Sequence, residues 1–131
     1  MEYPQKESGI IQFIKEVRKE YDLEERTAVF GEDIITFAKK VPQNVITIPL
    51  IGQLVKAGTS VGANYCEADD AESKKDFRHK IGICKKESRE SKFFLRMIAH
   101  AVPELKEDAT VLKQEAKELN LIFGSIRRKV S

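Results

Sequence analysis

The segment TSVGANYCEA, residues 59–68, contains the features that decide the fold of this chain. Its apolar residues recur every three or four positions, at Val61, Tyr65 and Ala68. That spacing places them on one face of a helix, and Gly58 and Gly62, one turn apart, would let a neighbouring helix approach closely. Beside the apolar face runs a polar strip formed by Gln53, Ser60, Asn64 and Glu67. The segment therefore predicts a buried helix that carries polar groups toward its neighbours.

The polar strip requires partners, because an unsatisfied buried polar group costs about 1–3 kcal/mol. Candidate partners on other segments are Arg26, Thr27, Glu87, Ser88, Glu90 and Ser91. We predict a structural polar network that fixes the register of the helices, and not a catalytic centre. Its predicted members are Arg26, Gln53, Ser60, Asn64, Glu67, Glu87 and Glu90.

Capping signals and prolines divide the chain into helices, and no strand alternation is evident. Asp22 with Glu25 forms a capping-box pattern for a first bundle helix, which is expected to end before Pro42. Thr47 is expected to cap a second helix that runs to about Asp69.

Ser73 with Asp76 predicts the start of a third helix, which continues to about Ala101 without a proline. Pro103 suits the first turn of a fourth helix. The residues expected to face inward are Leu23, Val29, Phe30, Ile34, Phe37 and Ala38 in the first helix; Ile46, Leu50, Leu54, Ala57, Val61, Tyr65 and Ala68 in the second; Phe77, Ile81, Cys84, Ser88, Leu95 and Ala99 in the third; and Leu105, Ala109, Leu112, Ala116, Leu119, Phe123, Ile126 and Val130 in the fourth.

Residues 1–21 form an N-terminal arm in this interpretation. Its apolar residues predict an amphipathic helix that is stable only when it docks on the bundle or on another subunit: Ile10, Ile11, Phe13, Ile14 and Val17. Short connections make sequential helices antiparallel. The predicted fold class is therefore all-α, an antiparallel up-and-down four-helix bundle over residues 22–131 with the helical arm before it. A chain of 131 residues suits one such domain.

Composition and cysteine usage suggest the compartment. No apolar run approaches the roughly 20 residues that span a bilayer, and the start MEYPQKESG lacks the features of a secretion signal. We therefore expect a cytoplasmic protein without a membrane partner. Cys66 and Cys84 match no zinc or redox motif and would lie at different heights on antiparallel helices, so we expect two small buried thiols that are not bonded to each other.

Four runs of sequence occur in the order found in one known family. They are RTAVFGEDII at 26–35, QLVKAGTSVGANYCEA at 53–68, SKKDF at 73–77 and KKESRESKFFL at 85–95. With them the chain resembles, over about residues 22–125, the family called four-helix bundle proteins. That family includes proteins encoded by intervening sequences within bacterial large-subunit ribosomal RNA genes and the accessory variability determinant proteins of diversity-generating retroelements.

The resemblance implies an up-and-down four-helix bundle and a ring-like homopentamer. The retroelement members imply nucleic acid and a reverse transcriptase as partners. This chain departs from the family at Phe94-Leu95, where members often have Trp-Leu, and at Ser91, where they have Thr. Family membership does not by itself define a function.

The predicted third helix carries a row of basic residues: Lys74, Arg78, Lys85, Arg89, Lys92 and Arg96. Helical geometry confines them to a strip about 60° wide and roughly 33 Å long. Residues 73–102 hold nine basic and three acidic side chains, whereas residues 22–72 hold four and nine. The strip predicts a surface that binds a phosphate backbone, and Arg127-Arg128-Lys129 would extend it. The alternative is a solvated helix face that acidic residues of other helices partly neutralise.

Sequence signals for catalysis or metal binding are lacking. There is no glycine-rich phosphate loop and no Cys-His pair with sequence support. The G-x-S-x-G spacing at 58–62 falls inside a predicted helix and therefore forms no nucleophile elbow. An acidic cluster lacks the pattern of a calcium loop: Glu67, Asp69, Asp70 and Glu72. His79 and His100 lie too far apart on one helix to share an ion. We therefore expect no catalytic residues, no metal and no cofactor.

Apolar residues outside the inner faces suggest assembly: Ile51, Val55, Phe93, Phe94 and Met97. Contact between subunits would cover them, and packing of the arm is the alternative. We expect a non-enzymatic homo-oligomer, a pentamer by resemblance, that presents a basic surface to RNA, DNA or a nucleoprotein partner such as a reverse transcriptase. The alternative function is a protein-interaction scaffold that binds no nucleic acid.

Overall fold

The computed structural model describes the backbone of residues 5–130 and the side chains of residues 9–130. Its elements are α1 (Gln5–Tyr21), α2 (Leu23–Lys40), α3 (Thr47–Asp69), α4 (Lys74–Ala101) and α5 (Lys106–Lys129), with a 3-10 turn at Pro103–Leu105. Every regular element of this range is helical, so the all-α prediction is confirmed. Residues 1–4 of the predicted arm and Ser131 of the predicted bundle lie outside the described residues. None of the helices in residues 5–130 has the length and apolar character to traverse a bilayer.

Asp22 separates α1 from α2. Its backbone adopts φ 45° and ψ 51°, a left-handed conformation that aspartate tolerates better than most residues. Its amide donates to the Arg18 carbonyl and its carbonyl accepts from the Arg26 amide, so the two helices are nearly continuous in hydrogen bonding. The predicted capping box is wrong, since the Asp22 side chain makes no capping hydrogen bond. A capping side chain requires an extended backbone, which the preceding helix does not allow.

Asn44, and not Thr47, caps α3. The Asn44 Oδ1 accepts hydrogen bonds from the amides of Ile46 and Thr47, both at 2.9 Å. The Thr47 hydroxyl accepts from the Asn44 amide and donates to the Pro42 carbonyl. The prediction of Thr47 as the cap is therefore wrong, although α3 begins at this residue. Its buried hydroxyl closes the loop before the helix instead.

Ser73 caps α4 as predicted. Its hydroxyl accepts a 3.1 Å hydrogen bond from the Asp76 amide. Because no proline interrupts it, α4 runs unbroken to Ala101. Pro103 opens the 3-10 turn, which leads directly into α5. The long α4 therefore has a fixed start and no proline kink along its length.

Helices α2 to α5 form the bundle. Sequential helices pack along three extensive seams, α2–α3, α3–α4 and α4–α5, whereas α5 touches α2 only sparsely. Ion pairs bridge this fourth seam. Arg26 donates to both carboxylate oxygens of Glu115, at 2.8 and 2.7 Å, and Lys40 donates to Asp108 at 3.1 Å. The start of α2 thus lies beside the middle of α5 and its end beside the start of α5, as an antiparallel pair requires.

Glycines bring α2 and α3 close together. A Cβ at Gly58 would lie 2.8 Å from both the Cγ1 and Cγ2 atoms of Ile34. A Cβ at Gly62 would lie 3.3 Å from the Thr27 hydroxyl oxygen, and Gly31 faces the backbone of α3. The close approach predicted for Gly58 and Gly62 is confirmed, and α2 is the helix that makes it.

The core contains most of the residues predicted to face inward. The largest fully buried side chains are those of Tyr65, Phe30, Phe77 and Phe123. The prediction is wrong for Val29 and Ile46, which are 40% and 60% exposed. Val29 precedes Phe30 by about 100° around α2, and Ile46 stands before the first turn of α3. Four predicted positions are half-buried: Ala38, Leu50, Ala99 and Leu105.

Helix α1 packs against the end of the bundle that holds the α3–α4 turn. Its buried residues are Ile10, Ile14 and Val17. The Phe13 ring meets the Phe77 ring edge-on, with centroids 5.8 Å apart. Arg18 donates to both carboxylate oxygens of Asp69, at 2.6 and 2.8 Å. The arm helix therefore docks on the bundle of its own chain, with Ile11 left 51% exposed.

Candidate nucleic-acid interface

The predicted nucleic-acid-binding residues lie along one side of α4. All are exposed except Lys85, which is half-buried; the set, here called the basic strip, is Lys74, Arg78, Lys85, Arg89, Lys92 and Arg96. The unbroken helix keeps them aligned, because side chains three, four or seven positions apart project from the same side. The strip continues over roughly 33 Å of helix axis.

Helix α5 adds positive charge beside one end of the basic strip. Lys92 and Arg96 line a shallow groove of about 430 Å³ together with Lys113 and Lys117. The other lining residues are Thr110 and Gln114. We call this the lysine groove. Four cations share it and no described carboxylate lines it, which concentrates positive potential in a concave surface.

A larger groove of about 920 Å³ adjoins the middle of the basic strip. Its cations are Lys85, Lys86, Arg89 and Arg127. Phe93 and Phe94 form an apolar edge, and Glu90 is the carboxylate in the wall. We call this the aromatic groove. It combines several cations with an exposed ring, a combination that the lysine groove lacks.

Two glycines make room for long cationic side chains at the α4–α5 seam. A Cβ at Gly82 would lie 3.2 Å from the Arg127 Nε, and a Cβ at Gly124 would lie 3.2 Å from the Lys85 Cε. The Asn120 side chain donates a 2.8 Å hydrogen bond to the Lys85 carbonyl and ties α5 to α4 at this level. The apolar stem of Lys85 is thereby held against α5 while its charge reaches the groove.

The cations of the basic strip form no ion pair with any side chain of residues 9–130. The salt bridges in this part of the chain lie elsewhere: Arg18–Asp69, Arg26–Glu115, Arg26–Glu118, Lys40–Asp108 and Lys80–Glu67. Acidic side chains of the neighbouring helices therefore do not neutralise the strip by direct pairing. Its charge remains available to a ligand.

The predicted structural polar network does not form across α3 within the described chain. Ser60 donates to the Lys56 carbonyl, and Asn64 donates to the Ser60 carbonyl at 2.8 Å, so both side chains bond within their own helix. The hydroxyl partners expected on other helices behave in the same way: Thr27, Ser88 and Ser91. The carbonyl three or four residues back satisfies these short side chains locally.

The remaining members of that network are dispersed. Arg26 pairs with α5, and Glu67, 58% exposed, pairs with a lysine of α4 at 3.2 Å. Gln53 and Glu90 line the aromatic groove. Glu87 is half-buried beside them. Among the described side chains, no hydrogen bond or ion pair links any two of these five residues, so they form no connected network.

Glu87 has a perturbed titration. Burial raises the pKa of its carboxyl above the usual range, and the charge of Glu90 raises it further. Lys86 and Lys56 act in the opposite direction. The group thus carries a charge that the surroundings accommodate poorly.

The buried Cys84 thiol and the buried Tyr65 hydroxyl are chemically quiet. Burial raises the pKa of the Cys84 thiol to about 12, and the thiol donates to the Val61 carbonyl at 3.5 Å. Burial also raises the pKa of Tyr65, whose hydroxyl has no hydrogen-bond partner among the described residues. Both thiols are free as predicted, but Cys66 is exposed, so the prediction that both are buried is wrong for this residue. Because its pKa is raised, the Cys84 thiol stays protonated at neutral pH and is a poor nucleophile.

The acidic cluster at the α3–α4 turn is partly engaged in ion pairs. Asp69 is held by α1 and Glu67 by α4. Within residues 5–130, no three His, Cys, Asp or Glu residues are grouped so that they could hold a metal ion. His79 and His100 are exposed near opposite ends of α4.

Sequence reasoning missed the part of the candidate interface that lies on α5. Lys113 and Lys117 are four positions apart, which signals a shared face, but only the packing of α5 on α4 turns that face toward the basic strip. Arg127, predicted as an extension of the strip, does line the aromatic groove. Arg128 lies against Gly124, where a Cβ would come within 3.4 Å of its Nη1.

Known proteins are similar to this chain in sequence and in fold. The family model described as 23S rRNA-intervening sequence protein matches residues 19–125. A crystal structure of a protein of unknown function from the S23 ribosomal protein family, from Bacteroides thetaiotaomicron VPI-5482, is similar with a TM-score of 0.71 and 26% identity. That match covers 79% of this chain and 96% of the other. No curated protein matches. The residues of this chain that match the family model include the entire basic strip.

Proposed function

This chain belongs to the 23S rRNA-intervening sequence protein family, and we propose that it binds nucleic acid through the basic strip and the two grooves beside it. The observation that carries the proposal is the row of cations on α4 that no described carboxylate pairs. A phosphate backbone is the complementary ligand, because each phosphate that a cation neutralises releases counterions and adds to affinity.

The distribution of charge supports this ligand more strongly than the net charge does. The chain has a formal net charge of only +2, so a uniform attraction to polyanions would be weak. The lysine groove and the aromatic groove gather cations from α4 and α5 on one side of the bundle. A strand that follows the strip would meet phosphate-binding groups along roughly 33 Å of helix.

Reversing the charge of the strip tests the proposal. The variant carries Lys85→Glu, Arg89→Glu and Lys92→Glu, and the probes are labelled RNA and DNA of about 20 nucleotides, single-stranded and duplex, at about 50 mM salt. We expect fluorescence anisotropy to show binding that weakens as salt rises, and a loss of more than about tenfold in the variant.

The matched control carries Lys15→Glu, Lys19→Glu and Lys39→Glu, all exposed residues of α1 and α2. It has the same net charge as the strip variant, so a purely global electrostatic effect would weaken both equally. Absence of binding by the wild-type chain, or equal losses in the two variants, would overturn the proposal.

A second candidate function is a protein-interaction scaffold, which a groove along the α2–α3 seam favours. This groove of about 370 Å³ lies over Gly31 and Gly62, with Ile35 41% exposed beside them. Glu24 and Glu32 also line it, so two copies of this groove would repel each other if they met face to face. We propose that it receives a basic face of a second copy of the chain, a head-to-tail contact that can close a ring.

Sedimentation velocity tests this contact. Ile35→Glu is expected to reduce the mass of the assembly, whereas Leu121→Glu, at a 60% exposed position on α5, is expected to leave it unchanged. A wild-type chain that sediments as a monomer would contradict the second candidate. The pentamer, a reverse transcriptase partner and the absence of enzymatic activity stay predictions.

A further inference from the structure

Phe93 is the large aromatic side chain of α4 that faces solvent. Its side chain is 53% exposed, at a position where a helix surface normally carries a polar group. Arg89 stands one turn before it and Arg96 one turn after it, and residues at these spacings are neighbours on a helix surface. Cations of the basic strip therefore flank the ring on one side, and Glu90 and Met97 occupy the equivalent spacings on the other.

Phe94 holds the Phe93 ring in place. The two rings meet at an interplanar angle of 83° with centroids 5.2 Å apart, and Phe94 itself packs against the core. A ring fixed on a rigid helix loses little conformational freedom when a ligand stacks on it. The aromatic groove thus offers an exposed apolar ring that rests against a second ring packed on the core.

The charges around this ring select the kind of ligand. Lys85, Arg89 and Arg127 line the same groove as Phe93, and each can bind an anion. Glu90, in the wall of the groove, disfavours an anion at its own position. A ligand that satisfies both features has phosphates beside a flat ring whose face is free. An unpaired nucleotide has this chemistry, whereas the bases of a duplex are stacked on one another and hide their faces.

We propose that Phe93 is a stacking platform for an unpaired base, so that the aromatic groove binds single-stranded nucleic acid in preference to duplex. This inference rests on the nucleic-acid function proposed above and specifies its substrate class. Cations hold the backbone of the strand, and Phe93 adds a contact that depends on a free base and not on its identity. The lysine groove, with no aromatic edge, contributes only phosphate contacts.

Phe93→Leu tests the platform, because leucine keeps an apolar side chain but removes the aromatic face. The probes are a single-stranded DNA of mixed sequence, about 20 nucleotides long, and the duplex of the same sequence. We expect wild-type protein to bind the single strand more tightly, and Phe93→Leu to weaken only that binding, by about tenfold. Phe93→Tyr retains a ring and is expected to keep the preference.

A base analogue reports the stacking directly. With 2-aminopurine in the single strand, wild-type protein and Phe93→Tyr are expected to change its fluorescence on binding, and Phe93→Leu much less. Leu121→Ala, at another exposed apolar position, is the control that should change neither affinity nor signal. Because Phe93 is half exposed, the melting curves of these variants should match that of the wild type.

The outcomes separate this inference from the function on which it rests. If Phe93→Leu leaves single-strand affinity within about twofold, or weakens duplex equally, the platform is wrong, while the charge-reversal variant still decides whether the strip binds nucleic acid at all. If Phe93→Leu instead changes the sedimentation of the free protein, Phe93 is a subunit contact and the inference is overturned.

Discussion

Glycines line both the α2–α3 seam and the α4–α5 seam, but different side chains fill the space they leave. Gly58 faces the fully buried Ile34, whereas Gly82 faces the guanidinium of Arg127. In the first seam the missing Cβ lets two helices and a branched apolar side chain reach the density of a protein interior. In the second it lets a long cationic side chain lie along the partner helix. Glycine therefore allows close helix packing at the α2–α3 seam and makes room for a cationic side chain at the α4–α5 seam.

The strongest test of this comparison is Gly58→Ala. The new Cβ would lie 2.8 Å from two carbons of Ile34, which cannot move away without disturbing the core. Overpacking of this kind lowers the free energy of unfolding by about 1–3 kcal/mol. Urea denaturation followed by circular dichroism measures the loss.

Gly52→Ala is the matched control within α3. A Cβ at Gly52 would meet no atom within 4 Å, and the residue is exposed. Alanine at such a helical position is expected to raise the free energy of unfolding by about 0.5–1 kcal/mol. Similar losses at Gly58 and Gly52 would show that close packing against Ile34 is not what requires the glycine.

Gly82→Ala is expected to raise the free energy of unfolding, whereas Gly58→Ala is expected to lower it. Its Cβ would lie 3.2 Å from the Arg127 Nε, but that side chain is exposed and can shift by a few tenths of an ångström. The gain in helix propensity should then dominate and raise the free energy of unfolding by about 0.5 kcal/mol. Urea denaturation under the same conditions measures this change in the free energy of unfolding. A loss of stability comparable to that of Gly58→Ala would mean that the α4–α5 seam at Gly82 is as tightly packed as the α2–α3 seam at Gly58.

A similarly small effect is expected at Glu87, a half-buried residue of α4. Burial raises the pKa of Glu87 in the folded state above its unfolded value, so the folded protein holds the proton more tightly. Stability from this group is therefore greatest below the unfolded pKa and is lost as pH rises through the folded pKa. Glu87→Gln removes the charge and should raise the free energy of unfolding at neutral pH, on the order of 0.5 kcal/mol.

Thermal melts of wild type and Glu87→Gln at several pH values measure this difference. The two curves of stability against pH should converge as the pH falls through the carboxyl range, because the wild-type side chain becomes neutral there. A difference that stays constant with pH would assign the effect to packing and not to titration.

Capping shows what local sequence can and cannot predict. Ser73 with Asp76 and Asp22 with Glu25 have the same spacing, yet only Ser73 caps its helix. Ser73 follows a turn and has an extended backbone, whereas Asp22 directly follows α1 and is left-handed. The difference depends on the conformation of the preceding residues, which a four-residue pattern does not contain.

The candidate site likewise has one part that local sequence predicts and another that depends on how the helices pack. The basic strip follows from spacing alone, because side chains of one unbroken helix keep a fixed geometry. The part that Lys113, Lys117 and Asn120 contribute depends on the rotation and register of α5 against α4. The polar network on α3 was predicted from spacing as well, but Ser60 and Asn64 have acceptors in their own helix that compete with partners on neighbouring helices.

The different accessibility of the two free thiols makes it possible to measure how often α3 and α4 separate. Cys66 is open to reagents in the native fold, whereas Cys84 is sealed between α3 and α4 and has a pKa raised to about 12. A maleimide or disulfide reagent would modify Cys66 immediately and Cys84 only when these helices part. The rate at which Cys84 is modified, without denaturant, would report how often α3 and α4 separate. Repeating the measurement with added nucleic acid would test whether binding to the outer side of α4 slows that separation.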